Sequence, residues 1–246
     1  MTIPNLFGLL DGITAGIIVI TGALFGALSF YHAKKLGAKL LYYAGILVIV
    51  VGFLWLGPFT EFLSVLFFST NIPGEVYGWL SYFWVAPGIT LAMYIGGELL
   101  APDKKKLILA IFIILGIIFE LWIFLFPNGN TEYGLGIFPI LDWGTFEWEA
   151  PAADGLINTG FNMSLAYILV FIFLISVLIF DAIGFGLKAK QSTGELRRKF
   201  TYLSIAFTIF FVCGLLDSVI PVGLLTGIVR GVMATFAIWT YLGLKV

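Results

Sequence analysis

One arginine constrains this chain more than any other residue. Arg230 lies in the stretch 222–244, VGLLTGIVRGVMATFAIWTYLGL, which is long and apolar enough to cross a bilayer. Every other Lys and Arg sits beside the end of a hydrophobic segment. A cation at membrane depth costs about 3 kcal/mol or more unless it is paired or reaches water. Arg230 therefore needs a carboxylate partner or a wet cavity. Its helix also carries glycines at 223, 227 and 231, a four-residue stripe that lets a second helix approach closely.

Composition places that helix in a membrane protein. The chain is 61% hydrophobic and 11% charged, with a mean hydropathy of +1.08, whereas soluble domains carry about 25% charged residues. We expect an all-α membrane fold, a single seven-helix domain over 1–246, embedded in the lipid bilayer of a prokaryotic cell. The net charge of −1 gives no guide to partners, because the charges are segregated by side, and no nucleic-acid-binding face is expected. Cys213 is the lone cysteine and His32 the lone histidine, which excludes an intrachain disulfide, a Cys-based metal site and a His pair for haem or zinc. No cofactor and no metal is expected. The start, MTIPNLF, lacks the basic region of a signal peptide, so the first apolar stretch reads as a retained span.

A span needs roughly 20 apolar residues. The sequence predicts seven helices, near 6–31, 40–68, 77–100, 107–126, 158–187, 200–220 and 222–244. Pro58 should kink or break the second, and Pro87 interrupts the third in mid-membrane, because proline has no N–H for the preceding turn. Lys34, Lys35 and Lys39 fall between spans one and two; Lys104, Lys105 and Lys106 between three and four; Lys188, Lys190, Arg197, Arg198 and Lys199 between five and six; Lys245 follows span seven. The opposite loops carry none. Basic loops stay in the cytoplasm, so the N-terminus is expected outside and the C-terminus inside.

The one substantial outer segment, about 127–158, is acidic (Glu132, Asp142, Glu147, Glu149, Asp154) and interleaved with Tyr133, Phe138, Trp143, Phe146 and Trp148. It reads as a short hairpin or lid capping the bundle. The inner connector between Lys188 and Lys199 is a solvated basic loop near anionic headgroups, and a place where a cytoplasmic partner could dock.

Span one carries glycines at 8, 12 and 16 and again at 22 and 26. The stripes 8/12/16 and 223/227/231 lie at the same depth on two parallel helices, so we expect helix one to pack on helix seven backbone to backbone and close the ring. A homo-oligomer seam through either stripe is the alternative.

Counting rise along the helices puts Asp11, Glu61, Glu120 and Asp217 in the outer half with Arg230. Glu98 and Asp181 fall near the cytoplasmic face, within reach of its lysines. Arg230 should meet Asp11 on the neighbouring helix and Asp217 across the turn. The five groups Arg230, Asp217, Asp11, Glu120 and Glu61 either lock helices one, six and seven or form an outward-facing pocket for a small ligand. A proton or cation path would need polar groups through the inner half, where span seven offers mainly Thr235, Thr240 and Tyr241. Trp55, Trp79, Trp84, Trp122 and Trp239 serve as core filling and interfacial anchors, or as the lining of a chromophore or lipid pocket.

The seven-span topology resembles that of microbial rhodopsins and other seven-helix receptors, but span seven has no lysine before Lys245 for a retinal Schiff base. The segments GELRRKFTYLSIAF (194–207) and GLLDSVIP (214–221) are similar to the late part of seven-helix sensor domains that precede histidine kinases. That resemblance covers about a quarter of the chain and implies a sensor whose signal passes to a separate protein. HExxH, GxSxG and paired GxGD motifs are absent, and no catalytic residues are expected. The alternatives are a small transporter or channel, and a non-catalytic subunit of a larger membrane complex.

Overall fold

The computed structural model describes residues 5–127, 144–149, 155–220 and 223–245. Among these residues it is an all-α bundle apart from two short strands. Six helices are long and apolar enough to cross a membrane, or seven if one bent pair counts as a single span.

Helix α1 (Leu6–Leu36) starts where the Asn5 side chain accepts the amides of Phe7 and Gly8, and stops at Gly37, whose φ of 65° is left-handed. Lys34 and Lys35 occupy its last turn, where the helix dipole favours cations. Helices α2 (Lys39–Phe53) and α3 (Leu56–Phe68) meet at a 49° bend. The break at Leu54 and Trp55 lies one turn before Pro58, as expected of a proline that cannot return a hydrogen bond to residue 54. Helices α4 (Gly74–Tyr82) and α5 (Val85–Leu100) repeat this, broken at Phe83 and Trp84 ahead of Pro87. A 3₁₀ turn (Pro102–Lys104) leads into α6 (Lys105–Leu125). Strands β1 (Phe146–Glu149) and β2 (Asn158–Phe161) pair antiparallel, with Phe146 opposite Phe161.

Helix α7 (Leu165–Ser176) runs through a π-helical segment (Val177–Ile183) into α8 (Gly184–Gln191). The fifth span thus begins at 165, because 158–161 are taken by β2, and the π segment has no proline to announce it. Helix α9 (Gly194–Val219) is unbroken. Helices α10 (Leu224–Ala234) and α11 (Phe236–Leu244) are separated at Thr235, whose hydroxyl donates to the Val232 carbonyl at 2.7 Å.

Large apolar side chains face outward along whole helices: Ile13, Ile17, Ile20 and Leu24 on α1, and Ile114, Ile117 and Leu121 on α6, are each more than 40% exposed. Water would penalise such a surface; acyl chains do not. The interior is closed by rings, with Phe119, Phe146, Phe185 and Phe207 buried to 1% exposure or less. Phe146 carries the hairpin into that interior. Its ring stacks on Tyr82, 5.4 Å between centroids, and fills the space beside Gly78, where a Cβ would come within 2.7 Å. Strand β1 is therefore seated on α4. Tyr133, Phe138, Trp143, Glu132, Asp142 and Asp154 lie outside the described residues.

Helix one does pack against the last helices, α10 and α11. The glycine stripes do not do it as expected. Gly227 faces the Leu10 side chain, and Gly231 has nothing within 4 Å. Gly12 and Gly16 lie against the rings of Phe62 and Phe59 on α3. The backbone-to-backbone approach occurs instead between α1 and α2. A Cβ on Gly22 would sit 2.9 Å from the Val48 carbonyl and 3.1 Å from the Gly52 Cα, and one on Gly26 would sit 2.9 Å from the Gly45 carbonyl. The short 37–38 link holds these two helices antiparallel and close, so the second pair of glycines, not the first, meets a facing backbone.

Candidate functional site

Arg230 gathers two of the acids at the hairpin end of the bundle, Asp11 and Asp217. Helix α10 places it two turns from Leu224, with its stem among apolar residues and its guanidinium reaching back toward the hairpin end. Its Nε donates to Asp217 Oδ1 at 2.7 Å, and its NH1 donates to Asp11 Oδ1 at 2.7 Å and to the Asp11 carbonyl at 3.2 Å. Arg230 is 6% exposed and Asp11 9%. One side chain on α10 thus ties α1 to the last turn of α9. Charge-assisted bonds of this kind are about twice as strong as neutral ones, and a planar guanidinium presents both donors at once.

Aromatic residues complete the site. Trp55, at the break between α2 and α3, donates its indole N–H to Asp217 Oδ2 at 3.1 Å. Both oxygens of Asp217 are therefore engaged by different helices. Tyr77, on α4, is buried as well, at 5% exposure. Of the tryptophans expected as core filling or pocket lining, Trp55 joins this site. The available signal was the offset to proline: residue 55 sits at the forced break before Pro58, which turns its side chain toward α9.

The two remaining acids are elsewhere. Glu61 is fully buried and accepts from the Asn71 side chain at 2.5 Å, the Ile72 amide at 2.8 Å and the Ile157 amide at 3.1 Å. Asn71 also donates to the Gly155 carbonyl at 3.0 Å. Glu61 therefore clasps the α3–α4 connection to the strand that follows, and Arg230 is not among its partners. Its position on α3, beyond the 49° bend, aims it at these loops. Glu120 on α6 turns its buried carboxyl oxygens toward the Ala86 amide at the start of α5. So the geometry assembles Arg230, Asp11 and Asp217, and sends Glu61 and Glu120 to separate surroundings.

At the lysine-rich end Glu98 pairs with Lys105, as its position suggested. Asp181 does not share that screening. It is fully buried in the π segment, with neither oxygen hydrogen-bonded among the described residues, and its Oδ1 lies where a Cβ on Gly96 would come within 2.1 Å. The connector beyond it is open: Arg197 and Arg198 are exposed, and Lys199 pairs only loosely with Glu195 at 3.4 Å.

No protein-family model, curated protein or solved structure matches this chain. Among the described residues no group of three His, Cys, Asp or Glu side chains is placed to hold a metal ion.

Proposed function

We propose that this chain is a receptor- or sensor-like, non-catalytic membrane protein of seven spans, with the N-terminus outside and the C-terminus in the cytoplasm. The spans are α1, α2–α3, α4–α5, α6, α7–α8, α9 and α10–α11. Segregation of the lysines to one end supports that orientation. The observation that carries the functional reading is the Arg230 triad: the first, sixth and seventh spans are tied at the outer end by separate bonds to one guanidinium. A small carboxylate entering from outside would compete with Asp11 for NH1 and leave the Asp217 bond intact. Releasing α1 from α10 in this way changes the bundle without unfolding it, and the change reaches the basic connector between Lys188 and Lys199, where a partner protein reads it.

The test is a thermal-shift panel of small carboxylates and amines on the purified protein, with Arg230→Gln and Asp11→Asn alongside. A carboxylate that stabilises the wild type, binds tighter to Asp11→Asn and has no effect on Arg230→Gln supports the reading. Equal shifts in all three proteins would sink it. Cysteine labelling from either side of sealed vesicles tests the orientation.

Interrupted spans favour a second reading. Transporters place their sites at mid-membrane helix breaks, and both α2–α3 and α4–α5 are broken. Proton- or ion-dependent flux in liposomes would select transport over sensing.

A further inference from the structure

A cavity of about 470 Å³ opens at the lysine-rich end, between the starts of α2, α6 and α9 and the ends of α5 and α11. Lys39, Lys105 and Lys199 line it, each from a different helix, with Glu98 as the one acid in the wall. Glu98 is neutralised by Lys105, and Lys105 also lies over the Tyr94 ring, 5.2 Å from its centroid. Lys39 is exposed and makes no ion pair among the described residues. Lys199 also faces Glu195, just outside the lining, at 3.4 Å, so three lysines stand against two acids and the mouth of the cavity keeps a net positive charge. Its floor is apolar, formed by the buried Phe200 and Leu203. Leu196, 54% exposed at its rim, continues that apolar surface to the outside of the bundle.

We infer that this cavity binds an anionic phospholipid, its phosphate between Lys39, Lys105 and Lys199 and an acyl chain passing along Leu196 into the bilayer. A soluble anion would be served by the ammonium groups alone. The apolar floor and rim match a molecule that is charged at one end and hydrocarbon at the other. Inter-helix basic pockets at a membrane face are suited to phosphate headgroups, with each lysine contributing about fivefold in affinity. The site lies at the opposite end from the Arg230 triad, and it needs only that the chain sits in a bilayer, so it stands or falls independently of the sensing proposal.

The experiment is native mass spectrometry of the detergent-solubilised full chain titrated with dioleoylphosphatidylglycerol or dioleoylphosphatidylcholine, with and without excess inorganic phosphate. Unfolding curves without lipid verify that each variant folds. Saturable binding of the phosphatidylglycerol, weak binding of the phosphatidylcholine and no displacement by phosphate are expected. Lys39→Gln with Lys199→Gln should weaken phosphatidylglycerol roughly 25-fold, while Lys34→Gln with Lys190→Gln, outside the cavity, should leave it unchanged. Leu40→Trp fills the cavity without removing charge and should block binding too. Equal loss in both lysine pairs, or full binding to Leu40→Trp, would show diffuse attraction to a basic surface. Displacement by phosphate would assign a soluble anion instead. Either result overturns the lipid site.

Discussion

Asp11 and Arg230 stand 219 positions apart in the chain and meet at 2.7 Å, both nearly excluded from solvent. With Asp217 held at the same distance, they fix the relation of the first helix to the last two. Burial gives this pairing its leverage. Desolvated charges attract strongly, but they are costly as soon as one partner is lost.

Replacing Arg230 with Ala would remove the cation that Asp11 and Asp217 share, leaving the Trp55 N–H on Asp217. We expect a loss of about 3–5 kcal/mol of stability, read as a lowered unfolding midpoint in detergent. Arg230→Lys should be intermediate, because a single ammonium cannot reproduce the separate Nε and NH1 donors. Adding Asp11→Asn to Arg230→Ala should recover part of the loss. Simple additivity of the two changes would refute the direct coupling.

Glu61 should behave as a structural clasp. Glu61→Gln turns an amide NH₂ toward groups that already donate, so at least one of the Asn71, Ile72 and Ile157 bonds is lost at about 1–3 kcal/mol. Hydrogen exchange at the Ile72 and Ile157 amides should accelerate, while Thr14 and its neighbours on α1 keep their protection. Unchanged exchange at both amides would remove Glu61 from that role.

The glycines separate by what they face. Gly22→Val and Gly26→Val should destabilise strongly, since even a Cβ falls within 3 Å of the α2 backbone. Gly231→Ala, with open space around it, should be neutral or stabilising by up to about 1 kcal/mol through helix propensity. If Gly231→Ala instead weakened the protein or changed its oligomeric state, a second chain would have to cover that face.

Gly96→Ala tests the packing of the π segment. The new methyl collides with Asp181 Oδ1 and approaches the Phe180 ring to 2.9 Å, a clash expected to cost about 1–3 kcal/mol. Asp181→Ala in the same chain should relieve much of it, measured again as unfolding midpoints. A Gly96→Ala protein as stable as wild type would mean that α5 and the π segment do not touch as described.

The sequence was informative wherever one chemical type had only one affordable place. Apolar runs marked the spans, lysines marked one end, and Pro58 and Pro87 marked breaks four residues upstream of themselves. A lone cation among apolar residues demanded acids, and Asp11 and Asp217 were within reach of it. Glu61 and Glu120 were at a similar depth, but depth along a helix does not give direction around it. Rotation about the helix axis sent Glu61 to the loops and Glu120 to the α5 break.

From sequence alone, then, the solvent is determined: hydrocarbon excludes unpaired charge and unbonded backbone, so the helices and the need of Arg230 for a counter-charge follow. Which acids answer that need, which glycines touch a facing backbone, and that Trp55 closes the site were decided only in three dimensions. Those depend on the azimuth of each helix, which is set by the packing of every neighbour at once and leaves little local trace in the chain.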